Sequence, residues 1–194
     1  SEIFANGTST DVVCFGDADG TITLNTSNGV PTYTWDWTGP GGFTSTLENL
    51  TGLDIGTYDV TITDFNGCTK DTSFTITEPP DINISTVITN VDCNGNGNGT
   101  VDATLSGGTP VLTPFWTIIT PGGGLIPAAE DQNTLDGGVY QLLVTDGNGC
   151  ADSVQITINE PDTISSNGVV TNISCYDSLD GAIDLTLLGG AIPY

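Results

Sequence analysis

The sequence predicts an all-β chain made of tandem β-sandwich repeats. Two observations carry this prediction: a pattern of cysteines and Asx-Gly pairs recurs along the chain, and apolar residues alternate with period two. The 194 residues include 24 acids and a single base, Lys70, so the formal net charge is −23. Hydrophobic residues still make up 37% of the chain, which is enough to bury a core, unlike the composition of a disordered acidic tail.

The repeat is anchored by Cys14, Cys93 and Cys175, each of which stands five residues before an Asx-Gly pair. A second block, Gly56–Cys68, recurs as Gly138–Cys150. Each of the first two units closes on Glu-Pro, so the predicted repeats are 1–79 and 80–161, with the beginning of a third over 162–194. The Asx-Gly pairs are Asp19-Gly20, Asn98-Gly99 and Asp180-Gly181.

The repeat length and the last residues carry two further expectations. The spacing grows from 79 residues between the first cysteines to 82 between Cys68 and Cys150, which predicts an insertion of about three residues around Pro110–Phe115. The third repeat reaches only Gly190–Tyr194, which parallels Gly29–Tyr33. Strands would lack partners there, so we expect the polypeptide to continue into further repeats.

Each repeat is predicted to contain short, half-buried strands. Alternation places Ile22 and Leu24 on one face of a strand, and Tyr58, Val60 and Ile62 on one face of another. Threonine on the opposite faces suits a pleated, solvated surface. Gly, Pro and Asn-Gly signals separate the strands at short intervals, so we expect two sheets packed face to face in an Ig-like, Greek-key sandwich.

Aromatic residues give this interpretation detail. The motif Leu-x-x-Gly-x-Tyr ends on Tyr58 and Tyr140 and is typical of a tyrosine corner, in which the hydroxyl bonds to the backbone; an ordinary core tyrosine is the alternative. Trp35 and Trp116 are predicted to fill the middle of the two cores. The alternative is an exposed sugar-stacking platform, which would also use Trp37 because it shares a strand face with Trp35.

Five cysteines in an otherwise sulfur-free chain suggest disulfides and an oxidising compartment. Each repeat has one cysteine before its first long strand and one directly after a tight turn, Asp64–Gly67 or Asp146–Gly149. We therefore predict bonds within repeats, with free buried thiols as the alternative; zinc is not expected without His or Cys-x-x-Cys. The predicted pairs are Cys14–Cys68 and Cys93–Cys150, with Cys175 bonded to a residue beyond Tyr194.

At these residues the chain resembles the SprB repeat. The resemblance rests on the Cys-x4-Asx-Gly motif, on Gly-x-Pro-x-Tyr at Gly29–Tyr33, on the block ending in Asn-Gly-Cys at Cys68, and on the closing Ile-Thr-x-Pro at Ile76–Pro79. It implies a giant surface adhesin of gliding Bacteroidetes, exported by a type IX secretion system. Related repeats also serve as spacers in other secreted proteins.

Two kinds of small site have candidate residues. Oxygen-rich, Gly-containing loops suit Ca²⁺, although the EF-hand spacing is absent and Asx-Gly turns also form without metal. Sites that resemble bacterial O-glycosylation sites have the form Asp-Ser/Thr-aliphatic, a pattern that chance also produces in a Thr-rich chain. The calcium candidates are Asp17, Asp19, Asn96, Asn98, Asp177 and Asp180, and the glycosylation candidates are Ser153, Thr163 and Ser178.

We expect a structural stalk segment of a secreted, outer-membrane-associated surface filament. The alternatives are a carbohydrate-binding adhesive module, spacer repeats of another type IX-secreted protein, or an S-layer-like protein. Neighbouring repeats, surface polysaccharide and the gliding or secretion machinery are the expected partners. Nucleic acid is excluded by the single Lys, membrane insertion by the lack of a long apolar window, and an enzyme is not expected because the recurring acids lie in turns.

Overall fold

The computed structural model describes residues 2–191, which form β-strands and one 3-10 turn, Pro40–Gly42. No helix within those residues is long and apolar enough to cross a membrane. The predicted all-β class is confirmed. The strands are β1 Phe4–Thr10, β2 Gly20–Ser27, β3 Thr34–Thr38, β4 Thr44–Ser45, β5 Leu50–Leu53, β6 Gly56–Thr63, β7 Thr69–Ile76, β8 Asn83–Thr89, β9 Gly99–Ser106, β10 Thr113–Ile118, β11 Gln132–Leu135, β12 Gly138–Thr145, β13 Ala151–Ile158, β14 Ser165–Thr171 and β15 Ala182–Leu188.

The first repeat contains two antiparallel sheets that share one core. One sheet has the order β1-β2-β5 and the other has the order β4-β3-β6-β7. Along β6, Tyr58, Val60 and Ile62 are buried while Asp59 and Thr61 between them face solvent, as the period-two pattern predicts. The buried cluster is Ile3, Val12, Ile22, Leu24, Trp37, Leu50, Leu53, Tyr58, Val60, Ile62 and Ile76.

The second repeat uses the same plan, with sheets β8-β9-β11 and β10-β12-β13. Each member of the first core has a buried counterpart, with Trp116 in the place of Trp37 and Tyr140 in the place of Tyr58. In addition, Ile156 is buried where the first repeat has the half-buried Phe74. Its buried members are Ile82, Val91, Val101, Ala103, Trp116, Gln132, Leu135, Tyr140, Leu142, Val144, Ile156 and Ile158.

One tryptophan was placed wrongly by the sequence pattern. Trp37, and not Trp35, fills the first core: its side chain is 0% exposed and its Nε1 donates to the Leu47 carbonyl at 2.8 Å. Trp116 is buried as predicted and donates in the same way to Ala129, at 2.9 Å. Trp35 lies on the same strand face, opposite Ile62, and is half-buried against the core.

The insertion in the second repeat lies later than Pro110–Phe115, because Trp116 is still in register with Trp37. The extra residues fall between β10 and β11, where Gln132 replaces the apolar Leu50 of the first repeat. Gln132 is 1% exposed, and its amide accepts from the Ile126 N–H and donates to the Ile126 carbonyl, both at 2.8 Å. A buried amide thus fixes the longer loop to the core.

The described chain divides into two compact units that do not coincide with the sequence repeats. The first unit contains the residues up to Asn83 together with Ser106–Leu112 and Thr145–Ala151. The second contains Ile84–Leu105, Thr113–Val144 and the residues from Asp152 onward. The first unit therefore includes two loops of the second repeat. The repeat boundaries at 79/80 and 161/162 stay a prediction.

The beginning of the third repeat forms the hairpin β14-β15, which belongs to the second unit. Its apolar residues are open to solvent: Ile183 is 75% exposed and Leu185 58%, whereas their counterparts Ile22 and Leu24 are buried. A single hairpin cannot cover its own apolar face. The residues 192–194, which complete the parallel with Gly29–Tyr33, lie outside the described residues.

We expect Trp37→Ala to destabilise the first core strongly, because it removes the largest fully buried side chain and leaves a cavity. The expected loss in the free energy of unfolding is about 3–5 kcal/mol. Urea unfolding followed by circular dichroism measures it. Phe65→Ala is the control, since Phe65 is 73% exposed, and it should change stability by less than about 0.5 kcal/mol. Equal effects of the two substitutions would contradict this account of the core.

Candidate functional site

The segment that contains the first cysteine of each repeat is one structure built three times; we call it the cysteine loop. It spans Val12–Gly20, Val91–Gly99 and Ile173–Gly181. In the first copy the Val13 N–H donates to Asp19 Oδ1 at 3.0 Å, and the Asp17 N–H donates to the Cys14 carbonyl at 3.1 Å. In the second copy the Asp92 N–H donates to Asn98 Oδ1, and the Asn96 N–H donates to the Cys93 carbonyl. In the third copy the Ser174 N–H donates to Asp180 Oδ1, and the Ser178 N–H donates to the Cys175 carbonyl.

The first two cysteine loops are also tied to the end of their own repeat. The Val12 N–H donates to the Thr77 carbonyl at 2.9 Å, and the Gly16 N–H donates to Glu78 Oε2 at 2.8 Å. In the second copy the Gly95 N–H donates to Glu160 Oε1. The glutamate of each Glu-Pro pair therefore anchors the cysteine loop.

The glycine of the Asx-Gly pair is required by close packing. A Cβ on Gly20 would lie 2.8 Å from Ile76 Cγ2 and 2.9 Å from the Leu53 carbonyl oxygen. At Gly99 the corresponding distances, to Ile158 and Leu135, are 2.7 and 2.8 Å. Any side chain would push the two sheets apart at this point.

The second cysteine of a repeat closes a tight turn, which we call the cysteine hairpin; it spans Asp64–Cys68 and Asp146–Cys150. The buried Asp146 carboxylate accepts N–H bonds from Thr109 at 2.8 Å and from Asn148 and Cys150 at 2.9 Å. These donors, with the Thr109 N–H first among them, hold the pKa of Asp146 below its usual value. The aspartate organises the turn, as the sequence indicated.

Asp64 does the same in the first repeat. Its carboxylate accepts from Val30 at 3.0 Å and from Asn66 and Cys68 at 2.9 Å. The Val30 N–H is the main reason that the pKa of Asp64 is also lowered. The two hairpins are therefore built alike down to single hydrogen bonds.

The disulfide of the first compact unit joins Cys14 in its cysteine loop to Cys150 in the cysteine hairpin, with a Cα–Cα distance of 5.6 Å. Beside it, Asn148 Nδ2 donates to the Val13 carbonyl at 3.0 Å and to Thr109 Oγ1 at 3.1 Å. The bond spans a sequence separation of 136 residues. In the chain-entropy model, closing such a loop contributes about 5 kcal/mol.

The predicted pairs Cys14–Cys68 and Cys93–Cys150 are not those of the structure. Cys68 directly precedes β7, whereas Cys14 lies beside the other end of that strand, where Val12 bonds to Thr77. Eight residues of strand span about 25 Å, far more than the Cα separation that a disulfide allows. The second repeat has the same arrangement around β13. Cys68, Cys93 and Cys175 are exposed free thiols. Counting strand residues between the cysteines would have revealed this.

The side chains of four calcium candidates form hydrogen bonds within their own loops. Asp19 and Asn98 each accept a backbone N–H, and Asp180 Oδ1 accepts from the Ser174 N–H at 3.0 Å and from Ser178 Oγ at 2.5 Å. The Ser174 hydroxyl, followed by the Ser178 hydroxyl and the Ser174 N–H, lowers the pKa of Asp180. Asn96 donates its side-chain amide to Asp92. Within residues 2–191 no group of three or more His, Cys, Asp or Glu side chains could hold a metal ion.

The tyrosines have the geometry of a tyrosine corner. The Tyr58 hydroxyl donates to the Asp54 carbonyl at 3.0 Å, and the Tyr140 hydroxyl lies 2.8 Å from the Asp136 carbonyl. Tyr140 also accepts the Gly123 N–H, at 3.2 Å, from the longer loop of the second repeat. Burial is the main cause that raises the pKa of both phenols.

The glycosylation candidates differ in accessibility. Ser153 and Thr163 are exposed, and their hydroxyls contact Gln141 at 3.3 Å and Asn94 at 2.7 Å. Ser178 is only half-buried, and its hydroxyl donates to Asp180. Modification at these hydroxyls stays a prediction.

The family comparison agrees with the periodicity of these loops. The model of the SprB repeat matches residues 6–42, 85–113 and 167–194. The chain contains three SprB repeat segments. They begin at equivalent positions, include all three cysteine loops and end before the cysteine hairpins, so the predicted resemblance is confirmed for the first part of each repeat.

The search of curated proteins finds no match, whereas several solved structures resemble the chain. The crystal structure of DIP-gamma IG1+IG2 is 12% identical, covers 82% of this chain and 98% of its own, and has a TM-score of 0.43. The amphioxus IgVJ-C2 molecule is 14% identical over 81% of this chain and 96% of its own, with a TM-score of 0.32.

Removing the phenol hydroxyls should cost more at Tyr140 than at Tyr58. We expect Tyr58→Phe to lose about 1 kcal/mol, from one hydrogen bond, and Tyr140→Phe about 2 kcal/mol, because the Gly123 N–H also loses its acceptor. Urea midpoints give both values. Tyr176→Phe serves as the control, since that side chain is 93% exposed. Equal losses at Tyr58 and Tyr140 would contradict the extra role of Tyr140.

The lowered pKa of Asp146 predicts a pH-dependent contribution to stability. This contribution is complete above the ordinary Asp pKa of about 4 and is lost as the pH falls through the folded-state value. Asp146→Asn should lower the urea midpoint at pH 7, because an amide nitrogen cannot accept the Thr109 N–H, and the difference from the unmodified chain should shrink below pH ~4. Asp102→Asn, on the exposed face of β9, should leave the midpoint unchanged. A deficit independent of pH would argue against this role of the carboxylate.

Proposed function

We propose that this chain is a stalk segment of a large secreted surface adhesin that serves gliding motility and surface attachment. The observation that carries the proposal is the match of the SprB repeat to three segments that start at equivalent positions. Tandem copies of one module suit a part that spans distance, because each copy adds the same structure again.

The distribution of polar and aromatic side chains supports a mechanical role over a catalytic one. The recurring acids of the cysteine loops and hairpins accept backbone N–H bonds in their own turns. Trp37 and Trp116 are buried, which leaves the half-buried Trp35 as the only tryptophan within residues 2–191 with surface to offer a sugar ring. The polysaccharide-binding alternative therefore lacks the aromatic platform on which it depended.

Replacing the segment in the source bacterium tests the proposal. One strain would carry two unrelated β-sandwich domains of the same total length in place of residues 1–161, and a second strain would lack those residues altogether. If the repeats act as a spacer, the replacement strain should glide and attach normally, whereas deletion should reduce both.

Antibodies raised against the chain provide the control for display. They should label intact unmodified cells, and an antibody against the substituted domains should label the replacement strain. Loss of gliding in a replacement strain that still displays the protein would overturn the spacer role and favour direct binding by the repeats. Absence of labelling on intact cells would overturn the surface location.

A further inference from the structure

We propose that Cys93 belongs to a second disulfide site, which takes the cysteine hairpin of a following SprB repeat. In this scheme the first cysteine of one repeat bonds to the second cysteine of the next. The Cys14–Cys150 bond follows this scheme, because it joins the first cysteine of the first repeat to the second cysteine of the second repeat. The inference concerns how repeats are linked and does not depend on the cellular role proposed above.

The surroundings of Cys14 define what such a site needs. In the first compact unit, the cysteine loop lies against the linker Pro79–Ile82 and Gly108, and the Gly108 N–H donates to the Pro80 carbonyl at 2.8 Å. The cysteine hairpin closes this groove through the disulfide and through the Asn148 bond to Val13. Loop, linker and hairpin are the three parts of the site.

The surroundings of Cys93 repeat the first two parts within the second compact unit. The loop lies against the linker 161–164 and Gly190, whose N–H donates to the Asp162 carbonyl at 2.7 Å. Here Asn94 fastens the linker, since its Nδ2 donates to the Pro161 carbonyl at 3.1 Å and its Oδ1 accepts from Thr163 Oγ1 at 2.7 Å. Cys93 lines this groove and is an exposed thiol.

The proposal assigns the third part to the cysteine hairpin of the repeat that begins at 162, a segment that residues 162–194 do not include. The cysteine of its own repeat cannot serve instead, because Cys150 directly precedes β13 and Cys93 lies beside the other end of that strand, where Val91 bonds to Asn159. The cysteine hairpin of Cys68 is also exposed, and Asn66 occupies the position of Asn148. It therefore has the side chains that a hairpin needs to bond to the cysteine loop of another repeat.

Bond formation is an oxidation with a defined acceptor. The Cys93 thiol and the hairpin thiol each lose one proton and together lose two electrons to a dialkyl disulfide oxidant such as oxidised glutathione. The glutathione disulfide is reduced to two thiols, and one S–S bond forms between the repeats as one breaks in the oxidant.

The decisive experiment completes the third repeat. A copy of residues 113–161 is joined after Tyr194, in register with the second repeat, and the extended chain is refolded in a glutathione redox buffer. The copy carries Ala151→Thr, matching Thr69 after Cys68, so that its cysteine fragment differs in mass from the native one. Mass spectrometry of non-reduced fragments, cut at Glu and Asp because the chain has a single Lys, should find Cys14–Cys150 together with a bond from Cys93 to the added copy of Cys150. A free Cys93, or Cys93 bonded to any other cysteine, in molecules that carry the Cys14–Cys150 bond would overturn the proposal.

Two variants test the site without forming the second disulfide. With Cys150→Ser in the added copy, the added hairpin should still cover Cys93 and slow its alkylation by about tenfold relative to the original chain. The alkylation rate of Cys68 should stay unchanged. In the original chain, Cys14→Ser should leave Cys93 and Cys150 as separate thiols, and a bond between those two cysteines would overturn the pairing rule. Equal alkylation rates at Cys93 and Cys68 in the extended variant would also count against the site.

Discussion

The length of one strand determines much of this molecule. β7 separates Cys68 from the cysteine loop of its own repeat, and β13 does the same for Cys150 and the loop of Cys93. A fully formed eight-residue strand holds its ends about 25 Å apart, so a folded repeat cannot bond its two cysteines to each other. The disulfide must therefore connect a loop and a hairpin that belong to different repeats in the sequence. The strand length that the sandwich requires therefore also limits which cysteines can bond to each other.

Acidic side chains in this chain serve the backbone more than they serve ion pairs. Asp19, Asp64, Glu78 and Asp146 all accept N–H groups that the turns would otherwise leave unsatisfied. The Nζ of Lys70, the single lysine, lies 3.8 Å from Glu2 Oε1. Both side chains are exposed to solvent, so this ion pair contributes little to stability. At Asp64 and Asp146 these N–H donors stabilise the charged carboxylate, which holds the pKa of both groups below the usual value.

Local patterns predicted the fold well, and errors arose where distance in space mattered. The strand alternation, the tyrosine contacts and the hairpin turns depend on neighbours within a few residues, and such relations are visible in a sequence. Trp35 and Trp37 share a face, so periodicity alone cannot say which of the two is fully buried. The disulfide needed the end-to-end length of a sandwich, and the role of Gln132 needed the course of an inserted loop.

The surroundings of the disulfide explain why a covalent bond is useful at this place. Asp17, Asp81 and Asp146 all line the groove beside Cys14 and Cys150 in the first compact unit, and the chain offers no arginine or histidine to pair with them. Repulsion among these carboxylates is screened by salt, so it grows as the ionic strength falls. Hydrogen bonds such as that of Asn148 to Val13 oppose the repulsion weakly, because each one exchanges for a bond to water. The S–S bond does not depend on ionic strength, so it keeps loop and hairpin together across conditions in which an acidic surface alone would separate them.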